Sequence, residues 1–281
     1  MKYIARLFIL LAGFLALAGC SSSATGNANQ TPPGNPAQPQ KQIVGKNSAR
    51  VIHVLVALCD NEHQGIVPVP AKIGNGDDPQ NNLYWGARYG VKTFFTKSGD
   101  WKLLAYSTNP RPGILERCVF KRANKDVYII ADAYRGVEIK QSIIDFLEYA
   151  SGGANETISP NGLALNAGGG ADLIAFVGHN GLMDFTLDAY PTSKDSRRRD
   201  AVILCCASRN YFYEPLRSTG ARPLLWTTGL MAPEAYVLKA AIDAWVLESS
   251  GEAVRARAAE AYNTYQRCGA KAARNLFASG W

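Results

Sequence analysis

The length and composition of this chain are those of a folded protein with a substantial core. Its 281 residues are 47% hydrophobic and 19% charged, which excludes intrinsic disorder over most of the chain. The formal net charge of +7 is a weak bias, and the one short basic run, residues 197–199, is not interleaved with aromatic side chains, so the sequence does not predict nucleic-acid binding.

The N-terminus is predicted to be an export signal. Residues 1–6 are basic and residues 7–18 are apolar, which is too short a run to remain as a transmembrane helix. The segment ends in Leu-Ala-Gly-Cys20, which resembles the lipobox of bacterial lipoproteins. The resemblance implies a signal peptide over residues 1–19, lipidation of Cys20, and anchoring to the bacterial cell envelope, with Ser21 pointing to the outer membrane. An ordinary signal peptide followed by an incidental cysteine is the alternative.

The composition then changes twice along the chain. Residues 20–46 are rich in Ser, Asn, Gln, Pro and Gly and lack core-forming side chains, which predicts a flexible tether. Residues 47–281 are predicted to form a single α/β domain.

Besides Cys20, five cysteines remain in what is expected to be an oxidising compartment: Cys59, Cys118, Cys205, Cys206 and Cys268. Because five is odd, at least one thiol stays free unless the protein pairs with another chain. Nucleophilic chemistry is one reason for an exported protein to keep a free thiol.

Five apolar runs of strand length predict one sheet. They are continuous and rich in β-branched residues, as expected for strands covered on both faces. In chain order they are residues 51–58, 127–133, 173–177, 201–204 and 223–227. Helical spacing occurs between these runs at residues 139–150, in a helix opened by Pro233, and over residues 253–277. The alternation predicts a three-layer α/β fold, with a largely parallel sheet and helices on both faces.

Two insertions interrupt the alternation. Turn-forming residues 75–82 precede a predicted short helix over residues 83–89, and residues 91–95 and 101–106 are predicted to pair as a β-hairpin. The second insertion, residues 151–170, is predicted to be a long Gly- and Asn-rich loop. The sequence has no phosphate-binding loop or dinucleotide fingerprint, and neither a cofactor nor a metal site is predicted.

Chemistry is predicted where the third and fourth strands end. The third ends in Gly178-His179-Asn180-Gly181 and the fourth in Cys205-Cys206. Since neighbouring parallel strands share one carboxyl edge, we expect His179 and a cysteine to face each other there. Imidazole can accept the thiol proton, and thiolate is a strong nucleophile, so the pair suffices for acyl transfer. Gly178 and Gly181 are expected to allow close approach of a substrate and to present amides to an oxyanion.

The two blocks LIAFVGHNG and AVILCCAS resemble caspase-like cysteine peptidases, the clan of caspases, legumains, gingipains, separases and bacterial CHAT domains. The resemblance implies a caspase-like, flavodoxin-like fold and a peptide or protein substrate. It implies His179 as the general base and Cys206 as the nucleophile, with Cys205 at the preceding small-residue position and packed inward. Asn180 departs from the clan, which usually has Gly directly after the histidine.

Other readings of the same residues remain open. A histidine after a strand and paired cysteines at a strand end are often structural. The joint placement of His179 and Cys206 at adjacent strand ends nevertheless favours a lipid-anchored cysteine peptidase or related hydrolase, and two alternatives remain. One is an inactive caspase-like lipoprotein used for binding or assembly at the envelope, and the other is a ligand-binding α/β lipoprotein without chemistry.

Overall fold

The computed structural model describes residues 49–281, so the predicted signal peptide, Cys20 and most of the tether lie outside the described residues. An eight-stranded sheet forms the centre of the described chain, and a separate two-stranded sheet accompanies it. The strands are β1 (Arg50–Ala57), β2 (Trp101–Arg111), β3 (Ile114–Arg122), β4 (Val127–Tyr134), β5 (Asn155–Ile158), β6 (Leu165–Gly168), β7 (Leu173–Val177), β8 (Asp200–Leu204), β9 (Arg222–Thr227) and β10 (Phe277–Ala278). The helices are α1 (Val91–Lys97), α2 (Ile139–Ser151), α3 (Ser208–Thr219), α4 (Ala235–Val246), α5 (Gly251–Gln266) and α6 (Ala270–Leu276).

The five predicted strands are all present and all parallel to one another. The sheet order is β10-β9-β8-β7-β1-β4-β3-β2, with antiparallel pairs only where β3, β2 and β10 extend the two sides. Numbered along the chain, the parallel strands lie in the order 2-1-3-4-5, which is that of flavodoxin-like sheets. The predicted adjacency of the third and fourth strands, β7 and β8, is confirmed by their parallel register from Leu173–Asp200 to Val177–Leu204.

Helices cover both faces of this sheet, which confirms the predicted three-layer α/β fold. Ile143 and Phe146 of α2 pack with Phe212 of α3 on one face. Helices α1, α4 and α5 cover the other face, where Phe95 and Leu238 are fully buried. Side chains alternate between the two cores along β1, β4, β7 and β8, so the continuous apolar runs of the sequence are explained by burial on both sides. Within residues 49–281, no helix has the length and apolar character that crossing a bilayer requires.

A β-hairpin insertion is present, but the predicted pairing of residues 91–95 with residues 101–106 is wrong. Residues 91–97 form helix α1, because Val91 and Phe95, one turn apart, are both buried against the sheet. Burial of one helical face thus overrides the strand preference of a β-branched and aromatic segment. The hairpin is formed by β2 and β3, which meet at a turn where Gly113 adopts a φ of +80°.

Three smaller predictions also need correction. The short helix expected over residues 83–89 is a series of turns, fixed by the buried Asn82 side chain. The final helix is two helices, α5 and α6, because Arg267 and Gly269 both adopt positive φ and end the first. The loop expected over residues 151–170 contains a second hairpin, formed by β5 and β6.

Candidate active site at the carboxyl edge of the sheet

The candidate site lies where successive parallel strands begin to be added on the opposite side of β1. From β1 the chain leads to β4 on one side, whereas from β7 it leads to β8 on the other. The carboxyl ends of β1 and β7 therefore border a topological switch point, where ligands of open α/β sheets bind. Gly178, His179 and Asn180 follow β7 directly at this position.

His179 and Cys206 occupy equivalent positions on neighbouring strands. The last registered pair of β7 and β8 is Val177 with Leu204, and each of the two residues lies two positions beyond it. A hydrogen bond of 2.7 Å from Asn180 Nδ2 to the Cys206 carbonyl oxygen joins the two strand ends. The structure therefore brings the predicted pair to the same edge of the sheet.

The His179 ring is buried and oriented by a carboxylate that the sequence prediction missed. Its Nε2 lies 2.7 Å from Asp184 Oδ2, and the same oxygen accepts a hydrogen bond of 3.0 Å from the Gly65 amide. Because an ionised carboxylate only accepts, Nε2 carries the hydrogen in the neutral ring, and Nδ1 is left as the basic nitrogen. Nδ1 makes no hydrogen bond to any residue in the range 49–281.

Cys206 is partly exposed, and its sulfur lies against the segment that follows β9. The thiol donates to the Met231 carbonyl oxygen at 3.6 Å, and the Met231 amide donates back to the sulfur at 3.4 Å. No hydrogen bond joins this sulfur to the His179 ring within the described residues. Catalytic hydrogen bonds are often long in unliganded sites and shorten when a substrate binds.

Cys205 has a different environment from its neighbour. It is fully buried in the core beneath α2 and α3, as alternation along β8 requires. Burial raises the pKa of the Cys205 thiol well above its ordinary value. Burial likewise raises the pKa of Cys59 to about 11 and that of Cys118 to about 12. These three thiols are protonated at neutral pH, which makes them poor nucleophiles.

The backbone amides around His179 differ in whether they are already hydrogen-bonded within the described residues. The Gly178 amide donates to the Leu204 carbonyl oxygen at 3.2 Å, so it is engaged in the sheet and unavailable to an oxyanion. The Gly181 amide has no hydrogen-bond acceptor among residues 49–281. Asn180 is fully buried and accepts from the Leu182 amide, which starts the turn that carries Asp184. The buried Asn180 side chain thus holds together the Cys206 backbone and the turn that carries Asp184.

A second histidine–carboxylate pair borders the same edge. Asp60 follows β1, is almost fully buried, and its Oδ2 lies 2.9 Å from His63 Nδ1. A cavity of about 240 Å³ opens beside this pair and includes Asn75 and Asp77 in its lining, but neither His179 nor Cys206 lines it. Within residues 49–281, no group of three or more His, Cys, Asp or Glu side chains is arranged to hold a metal ion.

Two contributors to the site were absent from the sequence prediction. Asp184 lies five residues after His179, and the Asn180-Gly181 turn between them is the signal that could have placed it beside the ring. Met231 lies 25 residues after Cys206, and only the parallel pairing of β8 and β9 brings the two together.

Comparison with known proteins adds no relative to this description. No protein-family model, no curated protein and no solved structure matches the chain.

Proposed function

We propose that this protein is a cysteine peptidase or related hydrolase of caspase-like fold, with His179 as general base and Cys206 as nucleophile. One observation carries the proposal: His179 and Cys206 lie at equivalent positions beyond two adjacent parallel strands, and Asp184 holds the ring. A nucleophile, a base and a group that orients the base are the three parts that such chemistry requires.

The proposed reaction transfers an acyl group twice. His179 Nδ1 takes the thiol proton, and the Cys206 sulfur attacks the carbonyl carbon of a peptide bond. The tetrahedral intermediate places its oxyanion near free backbone amides, for which Gly181 is the candidate. The imidazolium protonates the leaving amine, and water, deprotonated by His179, hydrolyses the thioester and regenerates the thiol. Asp184 stabilises the imidazolium in both halves of the reaction.

The sulfur environment also supports a role for Cys206 in place of Cys205. The Met231 amide donates to the Cys206 sulfur, and such a donor stabilises a thiolate. Cys205 is fully buried and has no access to a substrate.

One observation favours the alternative of an inactive binding domain. The Cys206 sulfur lies 3.6 Å from the Met231 carbonyl oxygen, to which its thiol can donate, and no hydrogen bond connects the sulfur to His179 among the described residues. A thiol that remained in this arrangement would be a packing group, and the domain would then act by binding a partner at the envelope.

Labelling by an electrophilic peptide probe separates the two functions. We expect the probe to modify Cys206 in the native chain, Cys206→Ala to abolish labelling, and Cys205→Ala to retain most of it. Melting temperatures of the two variants control for loss of the fold. Labelling that depends on Cys205 would reverse the assignment, and labelling that neither variant changes would favour the binding domain.

The proposed location is the bacterial cell envelope, through a lipid on Cys20, which lies outside the described residues. The lipobox-like ending at Cys20 supports cleavage before it and acylation of its sulfur. Mass analysis of the mature N-terminus in an expressing bacterium tests this, with Cys20→Ser as the variant that should lose the lipid. Recovery of unmodified Cys20 from a membrane-free fraction would contradict the proposed anchor.

A further inference from the structure

The connection between β8 and α3 carries the candidate nucleophile. Leu204 ends the strand and Ser208 begins the helix, so Cys206 is the middle residue of a short turn. The next residue, Ala207, adopts the left-handed conformation, with a φ of +48° and a ψ of +34°. This conformation is unfavourable for a residue with a Cβ atom and persists only where surrounding contacts impose it. The turn beside the Cys206 sulfur is therefore held against its own backbone preference.

Two buried hydroxyls hold this turn. Thr227 ends β9 and Ser208 begins α3, and both side chains are fully buried. The Thr227 hydroxyl donates to the Cys205 carbonyl oxygen and accepts from the Ser208 amide at 3.0 Å. The Ser208 hydroxyl donates to the Ile203 carbonyl oxygen at 2.9 Å and accepts from the Thr227 amide at 2.8 Å. Each side chain therefore binds the backbone of the other, and both bind the end of β8.

These hydrogen bonds begin where the ladder between the two strands stops. The last registered pair of β8 and β9 is Val202 with Leu225. Beyond this pair, the two hydroxyls connect the Ile203 and Cys205 carbonyl oxygens to the start of α3 and the end of β9. Buried carbonyl groups need such partners, because an unpaired one is costly. The hydroxyls thus extend the connection between the strands as far as the residue before Cys206.

Both peptide groups that flank the Cys206 Cα atom are fixed. The Thr227 hydroxyl holds the preceding group through its carbonyl oxygen. Asn180 Nδ2 holds the following group, by donating to the Cys206 carbonyl oxygen at 2.7 Å. The amide of that same group, which belongs to Ala207, donates to the Gly229 carbonyl oxygen at 2.8 Å. The direction in which the Cys206 side chain leaves the backbone is therefore set relative to the ends of β7 and β9.

We infer that Thr227 is a positioning residue, which holds the turn that places the Cys206 sulfur for proton transfer to His179 and for attack. This inference rests on the proposed function, because the position of the sulfur matters to a reaction only if the sulfur reacts. Thr227 acts through the backbone that carries the sulfur. Misplacing a reacting atom by about 1 Å can slow a reaction by about a hundredfold. Sharp strand-to-helix turns present the nucleophile in other α/β enzymes as well.

Thr219 provides a matched control for a purely structural role. It is buried at the opposite end of α3, where its hydroxyl donates to the Leu216 carbonyl oxygen at 2.6 Å and accepts from the Ala221 amide at 3.2 Å. Its hydroxyl therefore makes the same two kinds of backbone hydrogen bond as that of Thr227. Removing it should lower the melting temperature in a similar way without displacing the Cys206 sulfur.

The test measures the rate at which iodoacetamide alkylates Cys206 between pH 6 and pH 9, read by mass spectrometry of the modified peptide. This reagent is small, so its rate does not depend on an unknown substrate specificity. Proton transfer to His179 should keep the wild-type rate high at pH 6, where an unassisted thiol reacts slowly. The proteins are the wild type, His179→Ala, Thr227→Val, Thr227→Ser and Thr219→Val, each with its melting temperature. Valine removes the hydroxyl, whereas serine keeps it.

We expect Thr227→Val to lower the Cys206 rate at pH 6 by about tenfold to a hundredfold, and Thr227→Ser to restore it. Thr219→Val should lose stability but keep the rate. An unchanged rate in Thr227→Val, or an equal loss of rate in Thr219→Val, overturns the inference while the proposed function stands. A wild-type rate that His179→Ala leaves unchanged overturns the proposed function and the inference with it.

Should Thr227→Val fail to fold, two variants of Ala207 decide whether the turn positions the sulfur. Glycine adopts the left-handed conformation readily, so Ala207→Gly should keep the rate at pH 6. A β-branched side chain opposes that conformation, so Ala207→Val should lower the rate. Equal Cys206 rates in the two variants would overturn the inference.

Discussion

Replacing Asp184 tests whether the carboxylate makes His179 an effective base. The carboxylate accepts from His179 Nε2 at 2.7 Å, and its side chain is 33% exposed. Asp184→Asn keeps an oxygen acceptor but removes the charge, whereas Asp184→Ala removes both. A hydrogen bond to a charged group contributes about 1.5–3 kcal/mol, so complete loss should slow a reaction that depends on the imidazolium by about tenfold to a hundredfold.

The assay is the rate at which Cys206 is modified by the peptide probe at pH 7. We expect the labelling rate of Asp184→Ala to be about tenfold to a hundredfold below that of the wild type, and the rate of Asp184→Asn to lie between the two. Asp188→Asn is the matched control, because this nearby aspartate is exposed and makes no side-chain hydrogen bond or ion pair among the described residues. An unchanged labelling rate in Asp184→Ala, with an unchanged melting temperature, would refute the claim that Asp184 orients the His179 ring and stabilises its protonated form.

The remaining predictions concern the buried core and the thiols. The hydrogen bonds of the buried Asp132 outweigh the effect of its burial and lower its pKa to about 2, so it contributes about 2 kcal/mol of stability above pH 4 that is lost as the pH falls toward 2. Urea unfolding across this range should show a loss about 2 kcal/mol larger in the wild type than in Asp132→Asn, which keeps the other carboxylates, and parallel curves would contradict it. Arg117→Met should leave Asp132 partnered only by His53 and destabilise the fold by about 3–5 kcal/mol, again read from urea unfolding. In Cys20→Ser protein, a thiol reagent at pH 8 should modify Cys206 and Cys268 in the native state and the buried thiols only after unfolding, and a third native thiol would contradict the burial described here.

The parallel part of the fold could be predicted because each of its strands is a continuous apolar run. Residues 173–177 and 201–204, for example, have side chains buried on both faces, so composition alone identified them. Residues 91–97 could not be predicted in this way, because Val91 and Phe95 fit either a strand or one face of a helix. Only the burial of that face against the sheet decides between the two.

The candidate site was predicted in part for a similar reason. His179 and Cys206 follow strands whose pairing can be inferred, so their proximity to one edge follows from topology. Asp184 and Met231 lie on turns and connecting segments, whose path depends on contacts such as that between Gly65 and Asp184. Such contacts leave no periodic signal in the sequence.

The central claim, that His179 activates Cys206, is tested most directly by the rate of Cys206 alkylation with iodoacetamide at pH 7 in the wild type and in His179→Ala. Mass spectrometry of the modified peptide distinguishes Cys206 from the exposed Cys268, which serves as the internal control. General-base catalysis contributes about a hundredfold or more, so we predict a loss of that size at Cys206 with no change at Cys268. Equal rates at Cys206 in the two proteins, with equal melting temperatures, would contradict the account.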